Sequence, residues 1–174
     1  SITHRVAEDY VMEEACQHGL SASVFRLTNA IGSPVTPQAN CWMLVANDFC
    51  RQVAISGSIK VYSNKFLQRD FIPISSICSV VSSSLNSNVL DGEIVNLSSG
   101  IAITLKSLAA LIADRSEVVL GFRPHINFLN NSIETDTERL IISTSKLSDL
   151  GFKIDNNLSD EIDQLLLNCN KWFS

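Results

Sequence analysis

Glycine is sparse in this chain, and none of its seven glycines (Gly19, Gly32, Gly57, Gly92, Gly100, Gly121, Gly151) lies within three residues of another. Loops that cradle phosphates need glycines at short, fixed spacings, so these 174 residues contain neither a Walker loop nor a dinucleotide fingerprint. Basic residues are also in deficit: 13 Lys and Arg against 18 Asp and Glu leave a net charge of −5. That balance argues against a nucleic-acid surface, which needs clustered cations. Long apolar runs are missing too. Residues 41–46 (CWMLVA) are among the longest, and a bilayer crossing takes about 20 residues. No segment has the basic, apolar and small-residue order of a signal peptide. Neither a membrane nor a nucleic acid is an expected partner. The three histidines, His4, His18 and His125, stand far apart, so no metal site is expected. No serine occupies a nucleophile elbow. Five widely spaced cysteines, an odd number, read as small buried hydrophobes of a reducing compartment rather than a disulfide set, and the expected location is the cytoplasm.

What the chain does contain is an alternation of helix and strand patterns, with 45% apolar and 18% charged residues. The rows Ile2/Val6/Tyr10 and Ala7/Val11/Ala15 predict a helix over residues 2–18, stopped at Gly19. Residues 22–27 read as a strand. Trp42, Val45, Ala46, Phe49, Cys50 and Val53 predict a helix over 40–54 with Asn40 as its cap. Strands are expected at 59–62 and 68–74, followed by a serine-rich helix carrying Ile77, Val80, Val81 and Leu85. A strand at 93–97 precedes a helix capped by Thr104, with Leu105, Leu108, Ala109 and Ile112 on one face. Residues 118–122 read as a strand. A last helix is expected behind a Ser159 cap, with Asp160 and Glu161 in its first turn. The fold class is α/β.

Four stretches, in order, resemble a known family. SVFRLTNAIGSP (23–34) resembles a strand and loop of pattern R-L-x-N-x-x-G-P. LQRDFIPISSICSVV (67–81) is similar to R-D-F-I-x-V-x-D-V, and EIVNLSSGIAITLKSLAALIA (93–113) to an N-x-G-S-G strand, turn and helix. STSKLSDLGFKI (143–154) is similar to D-x-S-K-x-x-x-L-G-W-x-P. Together they resemble the extended short-chain dehydrogenase/reductases, the NAD-dependent nucleotide-sugar epimerases and dehydratases.

The resemblance implies the remainder of a Rossmann-like parallel sheet plus a small α/β substrate domain. Residues 1–33 and about 67–100 would belong to the cofactor domain, and about 34–66 and 101–174 to the substrate domain. The Gly-rich cofactor half and a catalytic Tyr, one residue before Ser1, would lie outside this sequence, so the 174 residues alone are expected to be inactive. NAD or NADP is the implied cofactor and a nucleotide-diphosphate sugar the implied substrate, with dimerisation through the first helix. His4 stands where the family has its catalytic, ribose-holding Lys. Lys is charged at neutral pH, whereas His, with an ordinary pKa of about 6.5, is mostly neutral. Thr28 would face the cofactor; Asn29, Arg69 and, more weakly, Arg123 or Arg139 would contact the substrate. Arg69 suits a diphosphate because guanidinium bonds phosphate oxygens in pairs. Asp70 would hold Arg69 or a backbone amide, and Arg26 would be structural. Ser76 replaces a family acid. With His4, it keeps open a non-catalytic relative that binds a nucleotide sugar or NAD(P) without turnover.

Overall fold

The computed structural model describes residues 2–130 and 140–174. Helix α1 (Ile2–His18) leads through Gly19, at φ +66°, toward β1 (Val24–Leu27) and, after a single residue, β2 (Asn29–Ile31). Helix α2 (Val45–Ser56) and β3 (Ser58–Val61) follow, then β4 (Gln68–Pro73) and α3 (Ile74–Leu85). Next come β5 (Ile94–Leu97), β6 (Ala102–Thr104), α4 (Leu105–Leu120), β7 (His125–Phe128), a short α5 (Ser145–Asp149) and α6 (Leu158–Phe173).

Among the described residues the strands form three small sheets. β1 pairs parallel with β5, Leu27 opposite Leu97; β3 pairs parallel with β7. β4 sits between β2, parallel to it, and β6, antiparallel. Residues 70–73 of β4 are all buried, as expected of a central strand covered on both faces. The chain changes partner at Thr28: the residues before it pair with β5, and those after it with β4. This is a mixed α/β architecture with parallel pairing, as the alternating patterns predicted.

Two apolar clusters hold it together. One gathers Phe49, Cys50 and Val53 of α2, Leu108 and Ile112 of α4, and Ile162, Leu165 and Leu166 of α6 around Ile59 and Phe71. The other packs Ile77 and Val80 of α3 and Leu147 of α5 against Val95 and Leu97 of β5. A two-pronged Arg115–Asp163 pair ties α4 to α6.

Several boundaries differ from the sequence pattern. Helix α2 begins at Val45 rather than near Asn40, because Cys41 N–H and Leu44 N–H close turns onto Ala39 and Cys41. Trp42 precedes the helix; its indole donates to the Pro37 carbonyl at 2.8 Å and stacks edge-on against Phe173, 5.0 Å between centroids. Residues 118–122 are not a strand. The apolar face of α4 continues through Val119 and Leu120, which pack on the core, and Gly121 at φ +78° ends the helix. The strand there is β7. Asn157, not Ser159, caps α6: its side chain accepts the Ser159 N–H. Of the cysteines, Cys50 and Cys169 are buried as read, whereas Cys16 and Cys78 are exposed; all five are free. Helix α1 has the predicted bounds but buries no residue.

Gly32 marks a close approach. A Cβ there would lie 2.2 Å from Ile74 Cγ2 and 2.7 Å from Ile74 Cβ, at the start of α3. Gly32→Ala is therefore expected to destabilise by about 1–3 kcal/mol through overpacking. A urea midpoint unchanged from that of the unsubstituted protein would contradict this packing.

Candidate functional site

Asp70 organises the carboxyl ends of β1 and β5. In open α/β sheets that is where ligands bind, above all where strand partners diverge. The Asp70 side chain is buried, with the residue 2% exposed. One carboxylate oxygen accepts the Thr28 hydroxyl at 2.7 Å and the Ser99 N–H at 2.9 Å. The other accepts the hydroxyls of Ser98 at 2.8 Å and Ser99 at 2.9 Å. Thr28 follows β1, and Ser98 and Ser99 follow β5, so one side chain locks both strand ends. Asp70 thus holds a backbone amide, one of the two roles expected of it, and does not hold Arg69. Ser98 and Ser99 had no place in the sequence-level site. Their signal was present in the pair of hydroxyls just before Gly100.

Burial pushes the Asp70 carboxyl up, but the hydrogen bonds from Thr28, Ser99 and Ser98 outweigh it and hold the group below its ordinary value of 3.8. A carboxyl with a depressed folded-state pKa stabilises the fold fully above the unfolded value. That contribution fades as pH falls through the folded one. Acid unfolding is accordingly expected to sharpen below pH 3.8, and Asp70→Asn should flatten that limb of a stability–pH curve. An identical acid limb in the variant would contradict the assignment.

Asn29 donates from Nδ2 to the Asp70 carbonyl at 2.9 Å, leaving Oδ1 without a hydrogen-bond donor among the described residues. Arg69 is the neighbouring strand residue and is exposed. Its guanidinium makes only a 3.5 Å contact to the Gln68 carbonyl and, among the described residues, has no carboxylate in ion-pair range. Thr28, Asn29 and Asp70 are thus bonded together, with Arg69 alongside on β4.

Among the described residues, no hydrogen bond joins the remaining expected residues to this cluster. His4 is exposed in the first turn of α1, with no hydrogen bond to the Thr28 cluster. Arg123 pairs with Asp114 and Glu117 of α4. Arg139 lies outside the described residues. Arg26 has the structural role read for it: it grips Glu8 of α1 with two bonds, at 2.9 and 2.6 Å. That pairing lowers the Glu8 pKa and raises that of Arg26. Ser76 is buried and donates to the Asp155 carbonyl at 2.5 Å.

A cavity of about 190 Å³ opens beside the start of α2, walled by Val45, Asp48, Lys60, Tyr62 and Leu105. Leu44 makes no side-chain cap hydrogen bond, and Asp48 stands in the first turn of α2. Leu105 of this wall donates its N–H to the Leu67 carbonyl, just before β4.

The described residues do not by themselves fit a dinucleotide. The positive-φ glycines (Gly19, Gly57, Gly92, Gly100, Gly121 and Gly151) are isolated in turns and at helix ends. None forms the strand–turn–helix that aims backbone N–H groups at a pyrophosphate. Among the described residues no group of His, Cys, Asp and Glu is placed to hold a metal ion, and no helix is long and apolar enough to cross a membrane.

No protein-family model matches the chain, and no curated protein matches its sequence. Solved structures do share its fold. A UDP-glucose 4-epimerase from Thermotoga maritima, determined with UDP-glucose, is 16% identical with a TM-score of 0.75, over 99% of this chain and 53% of its own. RMD from Pseudomonas aeruginosa, complexed with NADPH, is 20% identical at TM-score 0.74, over 95% and 54%. A UDP-N-acetylglucosamine 4-epimerase from Methanobrevibacter ruminantium, in complex with UDP-N-acetylmuramic acid, is 20% identical at TM-score 0.72, over 97% and 51%. The chain spans about half the length of each. At such identity the likeness establishes the fold. It is the mixed α/β arrangement of part of a Rossmann-like epimerase, and the neighbours include NAD(P)-binding nucleotide-sugar enzymes.

Proposed function

We propose that the chain supplies the substrate-binding part of an NAD(P)-dependent enzyme acting on a nucleotide-diphosphate sugar, an epimerase, dehydratase or reductase. The observation that carries this reading is Arg69, an exposed guanidinium with no carboxylate partner among the described residues, on the strand next to the Asp70-locked strand ends. A diphosphate is the group such a cation recognises best, through paired, permanently charged hydrogen bonds. Asn29 would accept a sugar or ribose hydroxyl on Oδ1, its Nδ2 being engaged by the Asp70 carbonyl. The neighbours' UDP-sugar complexes favour this class of ligand.

NAD or NADP, which supplies the hydride chemistry when bound, is assigned to residues outside these 174. Thr28 would only border it, with its hydroxyl already engaged by Asp70. Residues 1–33 and 67–100 would then complete the cofactor domain, and the rest would form the substrate domain. Calorimetric titration of the intact protein with UDP, GDP and dTDP tests the proposal. Saturable one-to-one binding of one of them is expected, and no binding of any would overturn it.

A binding protein without turnover is the second reading, favoured by His4 at the Lys position and by the Ser76 hydroxyl being committed to Asp155. If His4 stands in for that Lys, His4→Lys should raise turnover or cofactor affinity in the intact protein. Indifference in a coupled NAD(P)H assay would remove His4 from the site.

A further inference from the structure

A second concavity lies behind the turn that holds Asp70. It encloses about 470 Å³, within the range of small-ligand sites. Its polar wall comes from Ser98, Ser99, Thr144, Ser148, Lys153 and Asn156. Lys153 is the one charged residue of that wall, and among the described residues no carboxylate pairs with it. On a chain of net charge −5, a cleft whose described lining holds an ammonium and no carboxylate is electrostatically distinct.

The hydrogen bonds within the wall divide into two sets. Ser98 and Ser99 are engaged by Asp70, and Asn156 donates to the Ser99 carbonyl at 3.0 Å. The nearby Lys146 is paired with Glu93 and bonds the Ile94 carbonyl. By contrast, the side chains of Thr144, Ser148 and Lys153 make no hydrogen bond or ion pair among the described residues. Thr144, Ser148 and Lys153 therefore border one cleft with unspent donors, and the exposed Lys153 also borders the neighbouring concavity beside Ser83 and Val89. The Thr144 hydroxyl lies close to the strand-end turn, 3.9 Å from where a Cβ on Gly100 would stand. The adjoining Asp155 carboxylate accepts the Asn157 N–H and is not in the wall. Half-buried Phe152 adds an apolar wall for an organic body.

We infer that this cleft is a binding site for a small phosphate monoester, with Lys153, Ser148 and Thr144 donating to the phosphoryl oxygens. Three donors, one of them a point charge, match the tetrahedral array of phosphate acceptors better than they match a single carboxylate. The site is separate from Arg69, and the inference does not rest on the function proposed above. Because Ser98 and Ser99 line the cleft with one side and bond Asp70 with the other, an occupant bears on the turn that locks Thr28 and β1.

The test is a titration of the intact 15N-labelled protein with inorganic phosphate, glycerol 3-phosphate and glycerol. Saturable amide shifts at residues 98–100 and 151–153 are expected with both phosphates and not with glycerol. Lys153→Met, at an exposed position, should weaken binding at least tenfold, about 1.4 kcal/mol. Arg69→Ala should leave it unchanged, and added salt should weaken it. Thr144→Val with Ser148→Ala provides a second variant that keeps the charge and should also weaken binding. The inference is overturned by an absence of saturable shifts, by an equal response to glycerol, or by binding that survives Lys153→Met and disappears in Arg69→Ala.

Discussion

Asp70→Asn is expected to destabilise the protein by about 3 kcal/mol, because the charged acceptor of several hydrogen bonds is lost and a buried donor is introduced in its place. In the native protein every contact to the carboxylate is a donation: from Thr28, Ser98, and Ser99 twice. An asparagine can accept on one oxygen only, and its Nδ2 would face groups that are themselves arranged to donate. The Ser98–Gly100 turn would lose its anchor and Thr28 would separate from β4, so the loss should fall on both strand ends. Urea denaturation checks this, with the midpoint expected to fall and the slope to hold. Thr28→Val should cost less, because it removes one of these donors and leaves the rest. A midpoint for Asp70→Asn within error of the unsubstituted protein would contradict the network.

Arg69→Ala is expected to behave in the opposite way. The side chain is exposed and, among the described residues, its only hydrogen bond is the long one to Gln68, so folding stability should be nearly unchanged. Affinity for a nucleotide diphosphate should instead drop by about 1.5–3 kcal/mol, the scale of a hydrogen bond to a charged group. Lys at this position should recover only part of the loss, because an ammonium cannot offer the two-pronged planar geometry. The two variants therefore separate the roles of adjacent residues: Asp70 holds the strand ends, and Arg69 meets the ligand. Loss of stability without loss of affinity at Arg69 would reverse that division.

Local signals carried much of the fold. Thr104 caps α4 as its position before Leu105, Leu108 and Ile112 suggested, and its hydroxyl accepts the Ser107 N–H. Helix α1 ends at Gly19 as read. Sequence pattern failed where tertiary context overrode propensity. Val118 and Val119 favour a strand by type, yet they continue a helix whose face is already packed on α6 and β3. β2 is too short, at three residues, to show a period of its own, and it exists because β4 lies beside it. At the site, Asn29 and Arg69 were legible as residue types in a resembling stretch. The Asp70 network was not, because its donors lie 28, 29 and 42 residues away along the chain and serine carries no periodic mark. The exposure of Cys16 and Cys78 was missed for a related reason: apolar neighbours in sequence do not place a side chain inward.

The central claim, that Arg69 reads the diphosphate of a nucleotide sugar, is tested most directly by a thermodynamic cycle. Calorimetry would compare the intact protein and Arg69→Ala, each titrated with the best-bound nucleoside diphosphate and with its parent nucleoside. The unsubstituted protein is expected to prefer the diphosphate by at least tenfold, about 1.4 kcal/mol, and this preference should collapse in Arg69→Ala while nucleoside binding persists. The same preference in both proteins, or no diphosphate binding by either, would contradict it.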